Sequence, residues 1–329
     1  MERTIKKVCC LLVLCLLSGC AGSAGTSYGK DLLVVGFSQL GSESDWRIAN
    51  TQSMIQALSE ENGYELLFDN AKQKQENQLI AIRNFILQGV DIIVLAPDSE
   101  TGWDNVLYEA RDAGIPVIIV DREVSVEDDS LYLSSVGSDF LKEGRLAVDW
   151  LEKELTRQGR SDEEIKILHI KGTDGATAQL MRTKAIEDAV LLNSRWTISD
   201  QLSGEFTDAK GYEVVRDYLK TNQDIDVIYS ENDNMTFGAM RALDEAGLTY
   251  GENGDVIIIS FDAVREALGY CLEGRINLCV ECNPLHGPRV DELIKKYESG
   301  EEIPKHTYVE ETCFTRSNLS LEIIDSREY

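Results

Sequence analysis

The sequence predicts an α/β protein built as two doubly wound, parallel-sheet lobes of Rossmann-like plan. Three observations carry this. From Asp31 onward, short β-branched runs alternate with longer amphipathic segments, the pattern of repeated strand–helix units. The runs are apolar at consecutive positions, as strands covered on both faces require. The alternation then starts afresh near Glu164, and 329 residues suit two sheets of about five strands each better than one of about ten.

The first set of strands reads LLVVGFS, YELLFDN, DIIVLAP and PVIIVDR. Between them lie WRIANTQSMIQALSEENG, QENQLIAIRNFILQG and TGWDNVLYEARDAG, each closing on a glycine that stops a helix. LYLSSVGSD separates the two sets. The second set runs EIKILHIKG, a helix over 179–192, WTISDQLSG, a helix over 210–221, DVIYSEND, a helix ending at Gly247, and DVIIISFDA. INLCVECN, the helix PRVDELIKKYESG and a tail follow, so the chain crosses between lobes more than once. In the first helix Ile48, Met54, Ile55 and Leu58 form the expected core stripe at about 100° per residue, and Trp46 projects roughly 140° from its centre. That placement turns Trp46 toward a cleft rather than a core.

The chain opens with Arg3, Lys6 and Lys7, then an apolar stretch from Val8 to Leu17 that is too short to span a bilayer and reads as a secretion signal. Leu17-Ser18-Gly19-Cys20 resembles a lipobox, which makes residues 1–19 a lipoprotein signal peptide, Cys20 the lipid anchor and residues 20–30 a tether. No later stretch is apolar enough to cross a membrane. The net charge of -26 repels nucleic acid and anionic membranes, and removing the signal makes the chain more acidic still. Of eight cysteines, Cys271, Cys279, Cys282 and Cys313 remain in the mature body, where three disulfide pairings or free thiols are all open.

Ligands of open parallel sheets bind beyond the carboxyl ends of the strands, so the residues that end each strand are the candidates. They are Ser38 and Gln39, Asp69 and Asn70, Pro97 and Asp98, Asp121 and Arg122, Thr173 and Asp174, Asn232 and Asp233, and Asp262. If the lobes face each other through these edges, hydrogen-bonding groups line one cleft. Arg47, Arg122 and Arg182 supply planar forks, and Glu43, Asp121, Asp262 and Glu281 accept hydroxyl protons. A polyol needs both, because each hydroxyl donates and accepts. Trp46 offers an aromatic face to sugar C–H groups. Asn232 is assigned to the ligand and Asp233 to structure.

Competing chemistries fare worse. Cys279-x-x-Cys282 with His286 falls short of a zinc site, since a fourth ligand is missing and the three histidines are scattered; small apolar side chains in a buried strand are the expected reading. Glycoside hydrolysis needs one carboxyl kept protonated, whereas each candidate acid here has an arginine or asparagine nearby that favours the ionised form. No phosphate-binding G-x-x-x-x-G-K-[ST] occurs, and no G-x-G-x-x-G follows the first strand. No catalytic residue, metal or cofactor is expected.

GFSQLGSESDWR, QKQENQ, GVDIIVLAP, GIPVIIVDR, SENDNMTFGAM and ISFDA, in this order and spacing, resemble the sugar-binding proteins of bacterial ABC importers in the ribose/galactose class. GSES-x-WR, TGW at Thr101 to Trp103 and GEFT at Gly204 to Thr207 are similar to the galactofuranose-binding branch. The resemblance covers essentially the whole mature chain. It implies lobes of residues 31–136 with 284–312 and 137–283 with 313–329, joined by three crossover strands near Ser134 to Ser138, Leu278 to Asn283 and Thr312 to Thr315. By position it implies a site of Ser38, Glu43, Trp46, Arg47, Asp121 and Arg122 from the first lobe, Arg182, Asn232 and Asp262 from the second, and Glu281 on the hinge. GTDGATAQLMR and the CVEC hinge depart from the family's usual form. The expectation is a monomeric, lipid-anchored extracytoplasmic protein that captures a monosaccharide, a furanose such as galactofuranose, for an ABC permease and ATPase. The alternative is a sugar sensor whose closed form is read by a membrane receptor or sensor kinase.

Overall fold

The computed structural model describes Leu32–Tyr329; the expected signal peptide, the Cys20 anchor and the tether lie outside the described residues. In chain order the first part runs β1 (Leu33–Gln39), α1 (Asp45–Ala57), β2 (Tyr64–Asn70), α2 (Gln75–Gln88), β3 (Ile92–Leu95), α3 (Asp104–Asp112), β4 (Val117–Val120) and β5 (Ser134–Gly137). The second part runs α4 (Phe140–Arg157), β6 (Ile165–Lys171), α5 (Thr177–Leu192), β7 (Trp196–Ser203), α6 (Asp208–Leu219), β8 (Val227–Ser230), α7 (Asp233–Ala246), β9 (Ile257–Asp262), α8 (Arg265–Glu273) and β10 (Leu278–Glu281). Then come α9 (Gly287–Ser299), β11 (His306–Tyr308), β12 (Cys313–Phe314) and α10 (Leu321–Asp325).

These strands form two sheets of six, ordered β11-β5-β4-β3-β1-β2 and β12-β10-β9-β8-β6-β7. All pairs are parallel except β10 with β12. The sixth strand of each sheet comes from the C-terminal region: β12 falls within the crossover expected near Thr312 to Thr315, whereas β11 was not expected. Both faces of each sheet are covered. In the first, Ile93 and Leu95 share a core with Phe85 of α2 and Leu107 of α3, whereas Ile92 and Val94 pack with Met54 of α1 and Leu293 of α9. Period-2 geometry sends neighbouring residues to opposite faces, so every position along such a strand is apolar. A Cβ on Gly36 would lie 2.5 Å from the Phe85 ring, so this glycine sets the close approach of α2 to β1. In the second sheet, Ile257 and Ile259 pack with Leu151 of α4, and Ile258 with Leu243 of α7.

The chain passes between the sheets three times: after β5, after β10, and between β11 and β12. Helices α4, α8 and α10 were not among the expected elements, and α4, with 18 residues, is the longest described helix. The expected core stripe of α1 also needs correction. Met54 and Leu58 are buried, but Ile48 and Ile55 are each 44% exposed. The face that packs inward instead carries Trp46, Arg47, Ala49, Asn50 and Ser53.

Candidate functional site

Each sheet has the same internal order, with the first strand of its set flanked by the second and third: β2-β1-β3 and β7-β6-β8. Connections leave to opposite sides at that point and open a crevice beyond the strand ends. The two crevices face each other across one small cavity. From the first lobe, Glu43, Ser44, Trp46 and Arg47 reach it from the β1–α1 junction, and Asp121 and Arg122 from the end of β4. From the second come Arg182 and Ala178 of α5, Phe206 before α6, Asn232 before α7 and Asp262 at the end of β9. Phe140 and Cys282 close the hinge side.

In the first lobe, Ser44 caps α1 by accepting from Arg47 N–H at 3.1 Å, which fixes the first helical turn. Arg47 then donates through Nε to Glu43 Oε1 at 3.0 Å and through Nη2 to Asp121 Oδ2 at 2.6 Å. Arg122 donates to the Asp98 carbonyl at 2.6 Å and lies 3.7 Å from Glu43 Oε1. Asp121 holds a left-handed backbone (φ 66°) that aims its carboxylate into this frame. Burial disfavours the Asp121 charge, but Arg47, Arg122 and His286 outweigh it and hold the carboxyl below its ordinary range. Burial likewise opposes the Arg47 charge, and Asp121 with Glu43 reverses the balance, leaving it firmly protonated.

The second lobe is organised around Arg182. Its Nε donates to Glu143 Oε2 at 2.7 Å and its Nη1 to the Glu231 carbonyl at 2.5 Å, while Phe261 and Phe140 lie against the guanidinium. Asp262 Oδ1 is 3.9 Å from Nη2. Burial, and next the neighbouring Asp233, raise Asp262 well above the ordinary carboxyl range despite Arg182. The expectation that every candidate acid is kept ionised is therefore corrected at this residue. Asp233 is itself pushed up to about 7, chiefly by burial. Asn232, not Asp233, caps α7, accepting from Met235 N–H at 2.9 Å and donating to the Phe206 carbonyl at 3.1 Å. Asp233 instead accepts from Val264 N–H and the Ser260 hydroxyl. Phe206 reaches the cavity from a left-handed backbone (φ 58°), and Gly172 makes room for it, since a Cβ there would fall 1.9 Å from the ring.

The lobes touch directly. Trp46 Nε1 donates to the Cys282 carbonyl at 2.6 Å, Asp45 and Asn234 exchange hydrogen bonds of 3.1 and 2.9 Å, and Glu123 N–H donates to Thr177 Oγ1 at 3.0 Å. This is the closed arrangement, and Trp46 is only 4% exposed within it.

The structure thus brings Glu43, Trp46, Arg47, Asp121, Arg122, Arg182, Asn232 and Asp262 around one cavity. It does not bring Ser38 or Glu281 there. Ser38 is buried within the end of β1. Glu281 is turned to the C-terminal tail, where it pairs with Arg327 at 2.5 Å, accepts from Tyr329 and receives Thr312 N–H. Phe140, Ala178, Phe206 and Cys282 escaped the sequence reading, which looked for polar strand ends. Phe206 lies in the GEFT segment, Cys282 in the CVEC hinge and Phe140 at the start of a capped, apolar-striped helix; Ala178 alone had no signal. Cys271, Cys279, Cys282 and Cys313 are free thiols, and the first three are buried.

Among the described residues, the buried side-chain atoms without a hydrogen-bond partner include Glu43 Oε2, Arg47 Nη1 and Arg182 Nη2. All three belong to residues lining this cavity, and they come from both lobes. A buried polar group left unpaired costs about 1–3 kcal/mol, so such atoms mark where a partner is accommodated.

Two doubly wound lobes closed over a buried, polar, two-sided cavity define a cleft-type solute-binding protein. The chain belongs to the periplasmic binding protein domain family, which it matches over residues 35–285. That membership places it outside the cytoplasm. It is 39% identical, over 88% of each chain, to the galactofuranose-binding protein YtfQ of Escherichia coli. Its structure is similar to the binding component of an arabinose ABC transporter from Shewanella sp. ANA-3 bound to α- and β-L-arabinofuranose (39% identity, TM-score 0.82, covering 90% of this chain and 95% of the other). It is also similar to a Mycobacterium smegmatis protein in complex with β-D-fucofuranose (38% identity, TM-score 0.82, 87% and 92% covered).

Proposed function

We propose that this protein captures one neutral monosaccharide in its furanose form between the two lobes and delivers it to an ABC permease, binding without chemical turnover. The observation that carries the reading is a set of three buried atoms without a hydrogen bond, two donors and one acceptor, on residues that line one cavity from both lobes; of these, Arg182 Nη2 also stands in ionic contact with Glu143 Oε2 at 2.7 Å. Ring hydroxyls, each able to donate and accept, satisfy such a mixture. The guanidiniums of Arg47, Arg122 and Arg182 stand against the carboxylates of Glu43, Asp121 and Glu143, so no net charge remains to select an anion. The indole of Trp46 adds an apolar wall. Relatives named for galactofuranose, arabinofuranose and fucofuranose support a five-membered ring.

Residues 31–136 with 284–312 and 137–283 with 313–329 are the two closing bodies in this proposal. Ser38, buried within the end of β1, and Glu281, on the tail side, serve structure rather than ligand. Cys20 is the lipid attachment point, and Cys20→Ser leaves the protein in the soluble fraction of cells.

The test is a calorimetric and thermal-shift panel of L-arabinose, D-galactose, D-fucose and D-ribose, with methyl furanosides set against methyl pyranosides to fix ring size. Saturable one-to-one binding of a furanoside is expected. Pyranoside-only binding overturns the ring assignment, and no binding across the panel overturns the sugar. Release of the alcohol from an aryl furanoside would show turnover and end the binding-only reading.

A further inference from the structure

Behind the sugar cavity, at the hinge, lies a second cluster of acids that the proposed ligand does not use. Glu311 sits in the last passage between the sheets. Its Oε1 accepts from Ser138 Oγ at 2.5 Å and from Asn283 N–H at 2.8 Å. Ser138 belongs to the first passage and Asn283 to the second, so this one carboxyl ties all three together. Glu143, in the first turn of α4, faces it. Carboxylate oxygens of Glu143 and Glu311 and the thiol sulfur of Cys282 lie within 4.8 Å of one another. Glu143 is 2% exposed; its Oε2 is held by Arg182, and its Oε1 has no partner.

The charges around this pair do not balance. Arg182 of α5 is the cation in contact, with Glu143 at 2.7 Å and Asp262 at 3.9 Å. Asp262 at the end of β9 and Cys282 after β10 add no positive charge, and burial keeps the Cys282 thiol from ionising. Cys313 of β12 is raised to about 11, and Glu281 of β10 is already paired with Arg327. A second buried carboxylate at this point would stand uncompensated, which proteins avoid by protonating it. The vacant Glu143 Oε1 is the acceptor that an O–H on Glu311 would reach.

We propose that Glu143 and Glu311 form a proton-binding pair at the hinge, which holds one shared proton in the closed protein and so couples ligand affinity to the external pH. Burial, and next Glu143, push Glu311 up to about 9 against the pull of Ser138 and Asn283. Burial raises Glu143 as well, but Arg182 opposes that rise, so the proton resides on Glu311. Opening the cleft wets the seam, relieves the burial and lets Glu311 fall toward an ordinary carboxyl value. The closed form therefore binds the proton more tightly than the open one. Affinity is greatest below the open-form value and is lost as pH rises toward the closed-form value, by up to about tenfold per pH unit. Because Glu143 also holds Arg182, a ligand drawn onto Arg182 Nη2 and the hinge proton act through the same side chain.

The inference rests on the proposed closure around a sugar, and two measurements keep the two apart. L-arabinose is titrated calorimetrically into the full mature protein from pH 6 to 9, in buffers of differing ionisation enthalpy, for wild type and Glu311→Gln. The amide keeps an acceptor for Ser138 and Asn283 and gives Glu143 Oε1 a permanent N–H donor. Wild type is expected to take up a proton on binding near pH 7 and to lose about 100-fold in affinity between pH 6 and 8; Glu311→Gln is expected to take up none there and to vary less than about threefold. Asp262 and Asp233 also titrate near the cavity, while burial lowers His286 to about 4 and keeps it neutral over this range, so absence of uptake in wild type, or uptake unchanged in Glu311→Gln, overturns the pair. Loss of binding on chelation, restored by zinc, overturns it in favour of a cation. If L-arabinose does not bind, the panel sugar that does is titrated in its place, and if none binds the sugar reading has failed by itself. The pair is then decided by thermal unfolding, where a wild-type midpoint that falls from pH 6 to 9 and a flat Glu311→Gln profile support it, and equal profiles overturn it.

Discussion

The first lobe presents Arg47 and Arg122 to the cavity with Glu43 and Asp121 laced between them; the second presents Arg182 alone with Glu143, Asp262 and, behind them, Asp233. In the first lobe two guanidiniums meet two carboxyls, and Asp121 is drawn below its ordinary range. In the second, one guanidinium meets three, and Asp262 is left with a proton well above that range. Burial is nearly complete on both sides, so the local ratio of cations to acids decides the difference. The consequence is chemical. Asp121 can only accept a hydrogen bond, while a protonated Asp262 can also donate one, so a ring held between them meets unlike walls.

Isosteric amides break this comparison most directly. Asp121→Asn removes a charge that compensates Arg47 and Arg122 and places an amide N–H against a guanidinium. Losing one partner of a buried ion pair costs about 3–5 kcal/mol, so chemical denaturation should show a deep loss of stability and the sugar titration little or no binding. Asp262→Asn exchanges one neutral group for another and should cost under about 1 kcal/mol in stability. Equal losses in the two variants would mean that Asp262 is ionised and that the lobes are alike.

Trp46→Ala separates closure from folding. The indole is carried by the first lobe but belongs to the same buried cluster as Phe140, Phe206 and Met235 of the second. Truncating a buried Trp costs about 3 kcal/mol or more, which is roughly 100-fold or greater in an equilibrium constant. Since the loss falls on the seam, it should appear as sugar affinity weakened at least about 100-fold with the ligand-free melting midpoint little changed. A large fall in that midpoint would instead make Trp46 part of one lobe's own core.

Asn234→Ala probes the rim, where Asp45 and Asn234 bridge the lobes in contact with solvent. Hydrogen bonds of this kind contribute about 1 kcal/mol. Affinity should fall about fivefold, with faster sugar release in stopped-flow fluorescence and an unaltered association rate. A slower association at constant release would place Asn234 on the entry path rather than in the latch.

Much of this architecture is legible from the chain because buried parallel strands write themselves as unbroken apolar runs and their ends as abrupt polar ones. Asp121, Arg122, Asn232 and Asp262 stand at such polar ends. Helix α4 was equally readable: Asp139 caps it through Lys142 N–H, and Ala147, Leu151 and Leu155 recur at fourfold spacing. Phe140 and Glu143 lie in its first turn. The face of α1 is a different case. Hydropathy equates buried with apolar, yet the inward residues here include Arg47, Asn50 and Ser53, because they face the site and the α9 seam, where Asn50 reaches the Pro284 carbonyl and Ser53 accepts from Gly287 N–H. Protonation states were out of reach for the same reason: they depend on how many arginines the fold gathers, and spacing along a chain does not count them.

The hinge acids show this limit at its finest, and they carry the smallest expected effect. Glu281 lies on β10 and Glu311 in the passage before β12, and their side chains take different environments. Glu281 meets Arg327 and Tyr329 on the tail side, a complete ion pair one-tenth exposed, whereas Glu311 faces Glu143. Glu281→Gln should therefore leave sugar affinity within about twofold at every pH, because the change is remote from the cavity and from the proton pair. Its cost should appear in stability, about 1 kcal/mol for a partly buried pair that keeps its hydrogen bonds to Tyr329 and Thr312 through the amide. Circular dichroism melts and sugar titrations on the same preparation measure both quantities. An affinity loss of tenfold or more with unchanged stability would bring Glu281 back to the ligand and move the boundary between binding wall and hinge by one strand.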